Sequence, residues 1–380
     1  MNRLVYIAAI TLLLGGAGTV ARGQQFRKAI YYGTGKNTSP YAVVSAHLTN
    51  SGHLDLALAD YASDSVSILL GNGDGTFQRA MKFSVAFPFA LTVGDFNKDG
   101  NADLAVVESA GNQLGFLQIL IGDGNGKFQK GELYQLGIEP TSVATADFSG
   151  NGHLDLAVAN NGGQSGKGSV MVFVGTGKGT FKTPVTYKIA GSPWGIAAGD
   201  LNGGHSPDLA VTNISGYVSV LLNDGTGHFK KPVNYNAGGG EVVDVKIADL
   251  RHDGRQDLVI ANLSQGMVVL LNKADGTFGK PTIYRPCSGN PPCEAPEAVA
   301  VADFNLDGHL DVAVATNIDD SYFYYGKGDG TFGLAQHLKD TIHFQGGFSI
   351  ASGDFKNDGA PDLAIPIELN GKVAILLNTK

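Results

Sequence analysis

Short apolar runs alternate with polar, glycine-rich loops along almost the whole chain. Runs such as SVSILL (65–70) and MVVLL (267–271) are too short for packed helices. They are bounded by turn chemistry of the Asp-Gly kind, which marks strands joined in hairpins. One phrase recurs, an apolar strand followed by an Asp-rich loop and a second apolar strand. Its seven copies begin at Ala46, Gly94, Ala146, Gly199, Ala248, Ala302 and Gly353. The first loop positions, His47, Asp95, Asp147, Asp200, Asp249, Asp303 and Asp354, are spaced by 48, 52, 53, 49, 54 and 51 residues. A second phrase follows the first six copies: GNGDGTF (71–77), GDGNGKF (122–128), GTGKGTF (175–181), NDGTGHF (223–229), NKADGTF (272–278) and GKGDGTF (326–332).

Each unit therefore carries four strands, one on either side of the acidic loop and one on either side of the glycine-rich turn. Four antiparallel strands in a repeat of about 50 residues describe a propeller blade. The predicted fold is all-β, a seven-bladed β-propeller of four-stranded antiparallel blades over residues 24–380. The C-terminal VAILLNTK ends after a third strand, while QQFRKAIYYGTG near the N-terminus matches the residues around the other fourth strands. Phe26 to Tyr32 is thus expected to complete the last blade. Closing the ring removes open sheet edges; an open solenoid would instead need caps at both ends.

Residues 1–23 carry Arg3, an apolar run from Leu4 to Leu14, and the small-x-small triplet Ala21-Arg22-Gly23 before Gln24. That order reads as a secretory signal peptide, and the run is short for a membrane span. The expected location is periplasmic or extracellular, with no membrane span. Cys287 and Cys293 bracket Ser-Gly-Asn-Pro-Pro. In an exported chain they read as a short disulfide pinning one loop, the alternative being two free thiols. Three Asn-x-Ser sequons, at Asn37, Asn213 and Asn262, matter only in a eukaryotic secretory pathway.

Charge sharpens the picture. The formal net charge is −8 and only 16 % of residues are charged, which argues against nucleic acid as a partner. Of the 35 acidic residues 28 are Asp, the shorter carboxylate that favours loops. In the best copies the loop reads Asp-x-Asn-x-Asp-Gly-x-x-Asp, a spacing that lets several oxygens converge on a hard cation such as calcium. An EF-hand would need a Glu at position twelve, where this chain has Val106 and Val314 inside apolar strands. Two loops are complete: Asp95, Asn97, Asp99 and Asp103 with the carbonyl of Asn101, and Asp303, Asn305, Asp307 and Asp311 with that of His309. A third, Asp147, Ser149, Asn151 and Asp155, has fewer charges and is expected to bind more weakly. The others are compromised by His47, Gly204, Arg251 and Lys356. The competing reading is Asp-capped turns without metal, favoured for the compromised loops, where Arg251 or Lys356 would replace the ion.

These repeats resemble the FG-GAP/VCBS family, which includes the propeller heads of integrin α-subunits. The resemblance covers about residues 25–380. It implies a seven-bladed propeller, calcium loops between first and second strands, and a protein or glycan ligand on the opposite face. On that face the resemblance points to Tyr41, Phe89, Trp194, Glu297 and Phe348, with Thr141 and Val243 at the matching positions of the other blades; packing at the hub is the alternative reading of these residues. Further candidate contacts are Asp319, Asp320, Tyr322, Tyr324 and the stretch Asn160 to Gly168. The function expected is non-enzymatic binding of an extracellular protein or glycan, with an adhesive or structural envelope role as a further possibility. The alternative is a calcium-dependent polysaccharide lyase or hydrolase, or its accessory domain. Against it, the few Glu residues are scattered through the sequence without a paired motif, and nucleophile elbows, Walker loops and HExxH are absent.

Overall fold

A computed structural model describes residues 25–286, 295–316, 321–338 and 348–380. Residues 1–23, where a signal peptide is expected, and both cysteines, Asp319 and Asp320 lie outside these residues. Strands occupy seven four-stranded antiparallel sheets, each hydrogen-bonded in sequence order within its blade. In blade 1 the strands are Pro40–Ala46, Asp55–Asp60, Ser65–Leu69 and Met81–Ser84. Blades 2 to 6 repeat this plan from Pro88, Pro140, Pro193, Val242 and Pro296. Blade 7 is built from Ala351–Gly353, Asp362–Ile367 and Lys372–Leu376, and the N-terminal strand Ile30–Gly33 pairs with the last of these, Ile30 opposite Ile375. The ring is therefore closed as the sequence implies, with a further bridge between Phe26 and Asn378.

The first strand of every blade lies innermost, against the first strands of its neighbours. The second strands are apolar on both faces, and six of the seven, such as Asp155–Asn160, are buried along their whole length. That explains why they read as continuous runs and not as alternating ones. The glycine-rich turn of each blade ends in a buried Phe, and Phe26 takes this place in blade 7. Across blade boundaries these rings meet the loop aromatics edge to face: Phe77 on Phe355, Phe181 on Phe96, Phe229 on Phe148 and Phe26 on Phe304, with centroids 5.4 to 5.7 Å apart. The offset geometry suits the ring quadrupoles. Among the described residues, no helix is long and apolar enough to cross a membrane.

Candidate functional site

All seven acidic loops emerge at one end of the ring, between the inner strand and the second strand of each blade. In six of them the leading Asp caps the loop through backbone amides. Asp95 accepts from Asp99 N at 3.2 Å and Gly100 N at 3.0 Å, and Asp303 accepts from Asp307 N at 3.1 Å and Gly308 N at 2.8 Å. Asp147 does the same with Asn151 and Gly152. Gly100 and Gly308 sit at φ of +86° and +85°, where a side chain is strained, which accounts for the recurring Asp-Gly step.

The last Asp of every loop is fully buried. Asp103 takes Phe96 N on one oxygen and Gly122 N on the other, at 2.9 and 2.8 Å. Asp155 takes Ser149 N and Gly175 N, and Asp311 takes Phe304 N, Asn305 N and Gly326 N. This carboxylate thus ties the acidic loop to the glycine-rich turn of its own blade, a link the sequence reading missed. The separation between the two partners varies from 15 to 20 residues, so spacing alone does not reveal it. Burial pushes Asp103 and Asp155 upward, and Asp311 to about 6; in Asp103 and Asp311 the two other loop carboxylates add to the shift.

The third loop position decides what faces that carboxylate. In blade 5 the Arg251 guanidinium reaches both Asp257 oxygens, at 2.7 and 3.1 Å, lies 3.3 Å from Asp253, and donates to the Asn272 carbonyl at 2.9 Å. In blade 7 the Lys356 ammonium binds Asp358 at 2.5 Å and the Asn378 carbonyl at 2.7 Å, 3.8 Å from Asp362. Blades 1 and 4 have no carboxylate at the fifth position (Ser51, Gly204), and there neutral donors suffice: the Thr49 hydroxyl on Asp55 and the Asn202 amide on Asp208. Loops 2 and 6 each carry three carboxylates, yet no described ion pair reaches them; the Asn97 and Asn305 amides turn to Asp99 and Asp307. These two loops hold a donor set made only of oxygen ligands, at the position where sister loops hold a protein cation. In the loops as they stand, the carboxylates point to amides, and among the described residues no three His, Cys, Asp or Glu side chains converge on one point. The side chains of two expected ligands turn to other partners: Asn101 faces Asn50, and His309 lies across Gly328, where a Cβ would come within 2.4 Å of its ring.

At the opposite end of the ring the inner strands begin. Tyr41 stacks on Phe348 at 5.0 Å and 19° and meets Phe89 at 5.3 Å; Phe89 in turn meets Trp194 at 6.2 Å. Tyr61 joins Tyr41 at 5.0 Å and Phe87 at 6.0 Å. Neither Tyr61 nor Phe87 stood out in the sequence, because they lie on connections outside the repeat phrase. The result is one continuous aromatic belt from blade 7 to blade 4, half-buried and touching ring to ring, over a central cavity of about 810 Å³. Packing at the hub and exposure at the mouth are thus both true of it. Thr141, Val243 and Glu297 are buried, so Glu297 is a wall of the mouth and not an exposed contact. Tyr322 and Tyr324 are buried in the interface of blades 5 and 6, where Tyr324 packs on Tyr284, which excludes them as surface contacts.

Most of the Glu residues scattered in sequence fall on this face, Glu297 lining the cavity and Glu368 beside Tyr41. Glu108, Glu139, Glu241, Glu297 and Glu368, five of the seven, stand at strand ends on this face. The Tyr41 phenol is pushed up by burial, then by Glu368 and Tyr61. Asn160, Asn213 and Asn262 end three second strands, fully buried, and hold adjacent backbone; Asn262 donates to the carbonyls of Ala237 and Gly239. The sequons at Asn213 and Asn262 are therefore structural positions, whereas Asn37 is exposed.

Family comparison matches an FG-GAP-like repeat at 47–106, 95–158, 147–211, 205–260, 249–314 and 303–365. No curated protein matches the chain in sequence. Among solved structures, a lectin of Agrocybe aegerita, described as recognising non-reducing terminal N-acetylglucosamine, shares 21 % identity, covering 87 % of this chain and 86 % of its own, with a TM-score of 0.57. BBS1N, solved in complex with ARL6DN, shares 13 % identity over 94 % of this chain and 98 % of its own, with a TM-score of 0.63. At such identities these two neighbours share the fold. The repeat matches run through all seven acidic loops, and the chain belongs to the family of FG-GAP-like repeat proteins.

Proposed function

We propose that this chain is an exported, non-catalytic, calcium-stabilised propeller that binds a glycan at the aromatic mouth opposite its acidic loops. The belt of Phe348, Tyr41, Tyr61, Phe87, Phe89 and Trp194 carries this reading. Aromatic faces stack on the apolar faces of sugar rings, and the surrounding Glu carboxylates accept hydroxyl hydrogens. The lectin neighbour supports the same ligand class by analogy. A second reading, a protein ligand, draws on three apolar side chains exposed on this face: Phe87 (44 %), Leu114 (50 %) and Leu369 (62 %). It also has an analogue in BBS1N.

Calcium would be held by Asp95, Asn97, Asp99, Asp103 and the Asn101 carbonyl, and by Asp303, Asn305, Asp307, Asp311 and the His309 carbonyl. Bound there, it supplies positive charge that clamps the loop. The third loop, with Asp147, Ser149, Asn151 and Asp155, has one carboxylate fewer and binds more weakly. Of the three acidic groups raised to about 6, Asp311 and Asp362 serve as hairpin ties for backbone amides and Asp60 is fully buried at the end of a second strand, which fits a non-catalytic role.

The test is a glycan array with wild type and a Tyr61→Ala/Trp194→Ala variant, run beside an assay for unsaturated uronate ends by ultraviolet absorbance. Binding lost in the variant, without lyase signal, is the expected outcome. A silent array together with saturable binding of an extracellular protein that the variant loses would replace the glycan reading with the protein one. Turnover of a polysaccharide would overturn the non-catalytic reading.

A further inference from the structure

The fifth and seventh acidic loops differ from the second and sixth at a single ligand position. Loop 5 has Asp249, Arg251, Asp253, Gly254 and Asp257; loop 7 has Asp354, Lys356, Asp358, Gly359 and Asp362. Their backbone frame is the same as in loops 2 and 6. Asp249 accepts from Asp253 N and Gly254 N at 3.1 and 2.8 Å, and Asp354 from Asp358 N and Gly359 N at 3.0 and 2.7 Å. Asp257 and Asp362 still receive the turn amides of Asn272 and Asn378. Among the side-chain ligand positions only the third has changed, from a neutral amide to a cation; loop 5 also carries the exposed Arg255, 3.8 Å from Asp253.

Each cation lies among the same three groups: the fifth-position carboxylate, the buried last carboxylate, and a carbonyl of the glycine-rich turn. For Arg251 these are Asp253, Asp257 and Asn272 O; for Lys356 they are Asp358, Asp362 and Asn378 O. The side chains are 17 and 11 % exposed, and the last carboxylates 0 %, so the pairs are sheltered from solvent screening. Removing one partner of such a pair leaves a buried charge uncompensated. Charge also tracks the loop's own needs. The loops lacking a fifth-position carboxylate, at Ser51, Asn151 and Gly204, carry Thr49, Ser149 and Asn202 at the third position and have no cation there.

We propose that Arg251 and Lys356 are tethered cations seated where blades 2 and 6 take calcium, and that loops 5 and 7 are latent calcium sites, each one substitution away from binding. Arg251→Asn writes Asp-x-Asn-x-Asp-Gly-x-x-Asp over 249–257, and Lys356→Asn writes it over 354–362. The turn carbonyls, Asn272 O and Asn378 O, line the opened seat. The counterparts of these carbonyls in blades 2 and 6, at Gly122 and Gly326, are then additional oxygen donors that no sequence motif records. The proposal rests on reading loops 2 and 6 as calcium sites, and its test separates the two.

The experiment uses the full chain, wild type and variants, purified with chelator. It reads the number of calcium ions bound per chain by equilibrium dialysis at millimolar calcium, and the melting temperature with calcium and with EGTA. Arg251→Asn is expected to bind one calcium more than wild type, to melt lower in EGTA, and to recover in calcium. The double variant Arg251→Asn/Lys356→Asn gains two, and Arg251→Lys gains none. Should the open variants fail to fold without calcium, Asn305→Arg gives the converse: one calcium fewer than wild type and a higher melting temperature in EGTA. Wild type binding calcium while Arg251→Asn gains none would overturn the tethered-cation proposal and leave loops 2 and 6 standing. Wild type binding none while Arg251→Asn gains one would do the reverse. No binding by either overturns both.

Discussion

Asp60 ends the second strand of blade 1, fully buried, at the place where blades 3, 4 and 5 have Asn160, Asn213 and Asn262. Burial raises its carboxyl from 3.8 to about 6, against the pull of Ser67, Thr34 and Lys82. That is a rise of about two pH units, and at about 1.4 kcal/mol per unit the ionised form costs the folded state about 3 kcal/mol at neutral pH. Asp60→Asn removes this cost and keeps the shape its sister blades use. The 3.9 Å pair with Lys82, a partly exposed ammonium at 38 %, is already included in that raised value. The net expectation is a gain of about 2–3 kcal/mol at pH 7.5, a rise in melting temperature of about 2–5 °C. The sign with pH follows from the raised value. The folded state holds the proton more tightly than the unfolded chain, so Asp60 costs nothing below pH about 4. Its penalty grows as pH climbs through about 6 and is complete above it. Thermal unfolding of both proteins from pH 3.5 to 8 should show curves that nearly coincide at the acid end, diverge between about pH 4 and 6, and keep a constant separation above that. A variant less stable at pH 7.5, or a difference that does not change with pH, would refute the reasoning.

Three other outcomes follow from the same geometry. Calcium at about 1–2 mM, acting on sites with dissociation constants of about 0.1–1 mM, should add roughly 1–2 kcal/mol per site; Asp95→Ala/Asp303→Ala should abolish the calcium-induced rise in melting temperature, as read by calorimetry with calcium and with EGTA. Gly328→Ala places a methyl 2.4 Å from the His309 ring at a φ of +73°, and should cost about 1–3 kcal/mol in denaturant unfolding, with His309→Ala restoring only the steric part. Phe77→Ala removes the rings' contact between blades 1 and 7, Phe77 lying 5.4 Å from Phe355 and 5.6 Å from Tyr32; a loss of about 3–5 kcal/mol is expected, with protease cleavage appearing first near the ring closure.

The blade count, the strand order and the ring closure could be read from the chain because each rests on local, repeated chemistry. Asp-Gly turns and apolar runs lie within a few residues of what they specify, and the ring closure, though it joins Ile30 to Ile375, is marked by a repeat phrase at each end. Asp103, Asp155 and Asp311, expected as ligands, are first of all buried ties between two hairpins. That role depends on Gly122 N or Gly326 N, partners 19 and 15 residues away, which spacing alone does not reveal. The aromatic mouth was legible only in part. Tyr41, Phe89, Trp194 and Phe348 share a register position, whereas Tyr61 and Phe87 reach the belt from connections of different length. Five Glu residues that lack any common spacing share this face because each falls at or beside a strand end there.

This distribution separates stability from recognition. On the acidic face, the loop of one blade touches the turn of the next: Gly179 N donates to Phe96 O, Asn223 to Phe148 O, and Asn272 to Leu201 O. A change there loosens two blades at once, which is why compensation, by a tethered Arg251 or Lys356, stays within the same seat. On the opposite face the connections differ in length and residue type from blade to blade, and the shared Asn latch appears in only three of them. The side chains of Tyr61, Phe87 and Leu369 make none of these loop-to-turn backbone ties, so they can be set by a ligand at less cost to the ring. The prediction that follows is directional. Tyr61→Ala should shift ligand affinity far more than melting temperature, and Asp103→Ala should do the opposite, because it leaves the Phe96 and Gly122 amides without their acceptor.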